Sequence, residues 1–165
     1  MTMQMQALRD LYVHKLQDIY SAEQQALDAM EQMSQVVQNP QLKQGIEQHI
    51  RQSQEQVQRL DQIFQQMGEQ PGGVTCEGMK GLVEEGQKMM QEDMAPEVLD
   101  AALIGAQQAI EHYEIAGYGT ARTYAQLLGE DQAAQMLEQT LEEEKMTDEQ
   151  LTRIAQQINV RAMES

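Results

Sequence analysis

Two carboxylates one helical turn apart, Glu111 and Glu114, sit in the run QQAIEHYEIAGYG over residues 107–119, where most other positions are apolar, small or amide. On a helix the three-residue step places both on one face, with Gln107 and Ile110. Three other segments repeat the anomaly. Glu23 continues the stripe of Leu16, Ile19, Tyr20 and Leu27. His49, Ser53 and Gln56 fill the stripe between Ile46 and Leu60, with Gln52 at its border, and Glu144 and Asp148 alternate by threes and fours with Leu137, Leu141 and Leu151. An isolated buried carboxylate costs several kcal/mol unless it is protonated, paired or bound to metal. Four segments breaking their apolar stripes therefore call for one shared cause. Carboxylates converging from facing helices suit a di-iron or di-manganese site, with one Glu from each of two helices and two ligands from each of the others. An oxygen-rich set with few imidazoles favours Fe(II) or Mn(II) over copper or zinc.

The elements that must position these groups read as helices, because apolar residues recur at three- and four-residue steps and no useful length alternates as a strand would. Long helices are expected at about 3–37, 40–67, 96–128 and 131–160, with a shorter, glycine-weakened one at about 75–91. Asn39 reads as an N-cap before Pro40, Gly68 and Gly129 as stops, and Pro96 as a first helical residue. Short turns after the first and third long helices make two antiparallel hairpins, and the short helix is the crossover between them. The expected fold is all-α: one domain over residues 1–165, a ferritin-like four-helix bundle of two antiparallel hairpins with an additional short crossover helix.

Counting along the hairpins gives height. Glu23 and position 52 are equidistant from the junction of Val37 and Gln38, and Glu111 and Glu144 from that of Leu127 and Leu128. Each pair lies about 14 to 17 residues from its turn, roughly 20 to 25 Å at 1.5 Å per residue, so both fall near mid-bundle. His49 lies about one turn from position 52 and reads equally as a ligand, as the hydrogen-bond partner of one, or as a satisfied core histidine. His112 faces away from Glu111 and Glu114, and His14 carries no signal. Glu142 and Glu143 read as a solvated acidic run. Tyr20, Tyr113 and Tyr118 read by default as aromatic packing, with redox-active neighbours of the site as the alternative, and the 13 Met as core filler.

Composition narrows the function classes. Eleven Lys and Arg against 27 Asp and Glu give a net charge of −16, which repels phosphate backbones and anionic lipid and draws cations. Nucleic acid and membrane are not expected as partners. The single cysteine, Cys76, forms no intramolecular disulfide, no apolar run approaches the ~20 residues of a membrane span, and a cytoplasmic location is expected.

The stretches LQDIYSAEQQAL, HIRQSQEQVQRLDQIF, AALIGAQQAIEHYEIAGYGT and TLEEEKMTDEQLT closely resemble the YciF-like bacterial stress-protein family, a ferritin-like family known as a domain of unknown function. The similarity runs over nearly the whole chain. It implies a five-helix ferritin-like fold, a homodimer, a general stress association and a di-metal site resembling that of rubrerythrins. The ligand region it implies includes Glu23, Glu111, Glu114 and Glu144, with Asp148 as a neighbour. Where the family reads HLEET this chain reads HIRQS, so Gln52 stands for the usual Glu and Ser53 for Thr. Glutamine keeps a coordinating oxygen but loses a charge and cannot bridge as a carboxylate does.

Two functions follow as expectations. The first is an iron or manganese protein oxidising Fe(II) or handling peroxide or oxygen. Its site is drawn from Glu23, His49, Gln52, Glu111, Glu114 and Glu144, with Glu111 and Glu144 bridging and Glu23 terminal. The second is a non-catalytic, dimeric, stress-associated interaction protein whose polar core binds metal weakly or not at all.

Overall fold

The structure, a computed structural model, describes residues 5–165. These residues form five helices: α1 (Leu8–Val36), α2 (Pro40–Met67), α3 (Glu77–Gln91), α4 (Pro96–Leu127) and α5 (Asp131–Glu164). No strand occurs among the described residues, and no helix there is long and apolar enough to cross a membrane.

The boundaries follow from local chemistry. Asn39 Oδ1 accepts from the backbone N–H groups of Gln41 and Leu42, and Pro40 opens α2 with the φ a helix requires. Gly68 ends α2 at φ +69° and Gly129 separates α4 from α5 at φ +74°, left-handed conformations that side chains disfavour. Three boundaries differ from the sequence-based expectation. The first helix begins at Leu8, because Asp10 Oδ2 accepts from the N–H groups of Gln6 and Ala7 and holds Ala7 extended. Residues 3 and 4 of the expected span lie outside the described residues. The crossover helix begins at Glu77, since Cys76 is its N-cap and Sγ accepts from Met79 N at 3.4 Å. The last helix runs one turn further than expected, to Glu164.

Ion pairs and hydrogen bonds fix the directions of the helices. Arg9 at the start of α1 pairs with Glu69 just beyond the end of α2, so these two helices run antiparallel. Arg122 pairs with Glu138, and Gln108 reaches Asp148 and Thr152, so α4 and α5 do likewise. The long helices close into a ring, α1 packing on α2 and α4, and α5 on α4 and α2. Helix α3 lies outside that ring against α1 and α4.

Two apolar clusters fill the interior. One gathers Tyr12, Leu16, Leu60, Phe64, Tyr118 and Leu137, and the other gathers Met30, Leu42, Ile46, Leu103, Leu151 and Ile154. The buried acidic residues Glu23, Glu111, Glu114 and Glu144 occupy the same interior, on helices that contribute to both clusters.

Candidate metal centre

Helical spacing puts His49, Ser53 and Gln56 on the inner face of α2, and each is buried. Glu23 of α1, Gln107, Glu111 and Glu114 of α4, and Glu144 of α5 turn inward in the same way. His49, Glu111, Glu114 and Glu144 each offer a ligand atom within 4.8 Å of all the others. His49 Nδ1 lies 3.0 Å from Glu111 Oε1 and Nε2 lies 3.4 Å from Glu144 Oε1, so one imidazole spans α4 and α5. Gln107 Nε2 donates to Glu111 Oε1 at 2.6 Å and lies 3.3 Å from His49 Nδ1. Glu23 is fully buried and accepts a hydrogen bond from Tyr118 Oη at 2.6 Å.

The electrostatics are unequal. Burial first, and then the charges of neighbouring glutamates, push Glu23, Glu111 and Glu114 well above the usual carboxylate range. Burial pushes Glu144 upward too, but the charge and contact of His49, with the neighbouring Glu111 and Glu114 carboxyls, outweigh it and hold the group at about 2. Without a cation the cluster therefore favours negative charge on Glu144 over charge on its three neighbours. Tyr118 is held well above its ordinary value by burial and then by Glu23.

The donor set passes a test of fit for a divalent metal. Glu23 Oε2, Glu111 Oε2, both oxygens of Glu114 and Glu144 Oε2 are buried with no hydrogen-bond partner. Folded chains rarely leave so many charged-type oxygens unpaired in one place, because each loses its water without compensation. A hard cation coordinated by carboxylate oxygens and one imidazole would satisfy those of Glu111, Glu114 and Glu144, whose ligand atoms lie within 4.8 Å of one another.

The remaining expected site residues fall elsewhere. Gln52 lies half-buried on the flank of α2, where Oε1 accepts from Thr147 Oγ1 at 3.2 Å, outside the cluster. Three residues on from His49 is a rotation of about 300°, so Gln52 stands roughly 60° off the face that carries His49 and Gln56. Asp148 pairs with His112 at 3.1 Å on the outer side of α4 and α5 rather than among the buried glutamates. His112 faces outward, as its position in the helix implied. Glu142 is exposed and pairs with Lys145, but Glu143 is not a solvated residue. It lies under Arg59 of α2, which holds it with both guanidinium arms and also donates to Thr140 Oγ1 at 3.1 Å. That partner is 84 positions away, so nothing in the run LEEEK announces it. Tyr113, read as packing, makes a polar contact besides: Oη lies 3.0 Å from Cys76 Sγ.

A family profile described as a domain of unknown function, DUF892, matches residues 7–164. The chain belongs to the DUF892 family. Within it, the chain is 40% identical to the protein YciF of Escherichia coli over 93% of each chain. The crystal structure of that stress protein superposes with a TM-score of 0.90 at 39% identity, covering 93% of this chain and 98% of the other. YcfI of Rhodopseudomonas palustris matches with a TM-score of 0.88 at 40% identity over 92% of this chain and 97% of its own. A Xanthomonas campestris protein matches with a TM-score of 0.80 at 26% identity over 96% and 97%. These likenesses tie this DUF892 chain to the all-helical YciF structure.

Proposed function

We propose that this DUF892 chain is a ferritin-like di-metal carboxylate protein of the stress response, acting in Fe(II) oxidation or in handling peroxide or oxygen. The observation that carries the reading is the buried quartet His49, Glu111, Glu114 and Glu144, with Glu23 facing the same interior and five carboxylate oxygens left without partners. Iron or manganese held there would supply one-electron steps between its divalent and trivalent states.

The chain's residues supply the rest. Glu144 is already ionised and offers the first anionic ligand, with His49 beside it. Glu23, Glu111 and Glu114 are pushed toward the protonated form, so a metal held there would compete with protons and bind more strongly as pH rises. Gln107 fixes the Glu111 carboxyl from one side, and Tyr118 fixes Glu23 from the other. The apolar clusters on either side exclude water, which strengthens each electrostatic contact inside. A homodimer, supported by the family resemblance, belongs to the same reading, as does the cytoplasmic location expected from the sequence.

A second reading rests on a different observation. His49, Gln107, Glu111 and Glu144 are linked to one another by contacts of 2.6 to 3.4 Å, as a polar network of an interaction protein would be. Anaerobic loading with Fe(II), followed by elemental analysis and exposure to air, separates the two. About two metals per chain with a new near-ultraviolet absorption on oxidation is the expected result. Less than one metal per chain and no spectral change would favour the network.

A further inference from the structure

The quartet is sealed, with His49 only 3% exposed and Glu111 and Glu144 fully buried, so any cation must find a way in. The seam between α2 and α5 contains a crevice of about 170 Å³ that reaches His49 and is lined also by Gly45, Gln52, Thr147, the carboxylates Glu143 and Glu149, and Arg153. That volume holds several waters. A second gap of about 10 Å³ shares Gly45, His49, Thr147 and Gln150 and adds Gln107, the residue that touches both His49 and Glu111. It stands at the threshold for one water, so it is a neck rather than an open passage.

The sequence explains why the crevice opens here. Gly45 lies one turn before His49 on α2 and brings no side chain to the seam, and a Cβ built there would only just reach Ile154 Cδ1, at 3.7 Å. Across the crevice, Thr147 Oγ1 donates to Gln52 Oε1 at 3.2 Å, which ties α5 to α2. Gln52 is the amide that stands where a carboxylate was expected, and it lines this crevice rather than the quartet. Amide and hydroxyl oxygens of the lining can solvate an ion in transit and the Glu149 carboxylate attracts it, while Glu143 is already held by Arg59.

Resting on the di-metal reading, we infer that the α2–α5 crevice is the route by which a hydrated divalent cation reaches the buried glutamates, with His49 as its inner end and the Gln52–Thr147 hydrogen bond as its latch. The net charge of −16 draws cations to the surface as a whole, and the crevice decides where they pass.

The test is the rate of metal uptake set against its equilibrium extent. Co(II) alone is mixed rapidly with the metal-free protein, uptake is followed by visible absorbance, and stoichiometry is measured by dialysis. Gly45→Phe fills the crevice while improving helix propensity. It should slow uptake by on the order of tenfold or more, because cations must then await local opening of the helices, and leave the final stoichiometry unchanged. Gly45→Leu gives the same result in smaller measure if the phenylalanine disturbs α2. Thr147→Val, which removes the latch at constant shape, should speed uptake. Equal rates in the wild type and every variant would overturn the route while leaving the di-metal reading intact. Absence of Co(II) from the wild type at equilibrium would overturn both.

Discussion

Glu114→Gln should stabilise the metal-free protein at neutral pH and abolish its stabilisation by metal. Glu114 is 2% exposed and neither of its carboxyl oxygens has a partner. In the unfolded chain it titrates near 4.5; in the fold, burial and the charges of Glu23, Glu144 and Glu111 raise it well above that value. Between those two values the native state holds a proton that the unfolded state has released. Stability therefore falls as pH rises, by about 1.4 kcal/mol per pH unit for this group, until the folded value is passed. Glutamine does not titrate and matches the shape of the protonated acid, so its advantage grows with the same slope. Over the window between the unfolded and folded values the variant should gain on the wild type by about 1.4 kcal/mol per pH unit, or roughly 3 to 6 °C in Tm per unit for a chain of this size. Mn(II) should reverse the order of response: at a hundredfold excess over Kd it adds about 2.7 kcal/mol to the wild type, and nothing comparable to a variant lacking the ligand. The assay is thermal and urea unfolding by circular dichroism, from pH 5 to 8, with chelator or with Mn(II). A variant no more stable than wild type in chelator at pH 6.5, or one that gains from Mn(II) as the wild type does, would refute the reasoning.

Glu144 should show the opposite sign. Its folded value of about 2 lies below the unfolded 4.5, so its contribution is present above 4.5 and is lost as pH falls toward 2; Glu144→Gln should flatten that acid limb in urea titrations of metal-free protein. Asp100→Ala should cost about 2 to 4 kcal/mol in urea unfolding, because the 3%-exposed carboxylate accepts from the backbone N–H groups of Gln38 and Asn39 and ties the α1–α2 turn to α4. Tyr118→Phe should lower Tm of the metal-free protein by the equivalent of about 1 to 3 kcal/mol, since it strips Glu23 of its 2.6 Å donor. Gly78→Ala would set a methyl 2.6 Å from the Tyr113 ring and force that ring away from Cys76, so the thiol should react faster with a disulfide reagent.

The helices were legible because their punctuation is strong: Asn39-Pro40, Gly68, Pro96 and Gly129 all fall at or beside a helix end. The boundary at Cys76 was not, since a thiol is an uncommon cap and the glycines after it blur the apolar period. At the site, Glu23, Glu111, Glu114 and Glu144 could be read as inward-facing, because a carboxylate inside an apolar stripe stands out against its neighbours. The choice between His49 and Gln52 could not be settled by counting height, which ignores rotation about the helix axis. The same counting cannot see pairings between helices, so Arg59 with Glu143 and Tyr118 with Glu23 emerge only once the chain is folded.

The central claim, a dinuclear metal centre built on His49 and the buried glutamates, is tested most directly by crystals of protein loaded with Fe(II) or Mn(II), with diffraction recorded above and below each metal's absorption edge. Two anomalous peaks are expected among Glu23, His49, Glu111, Glu114 and Glu144. No peak there in fully loaded crystals, with the glutamate side chains bonded only to one another, would contradict it.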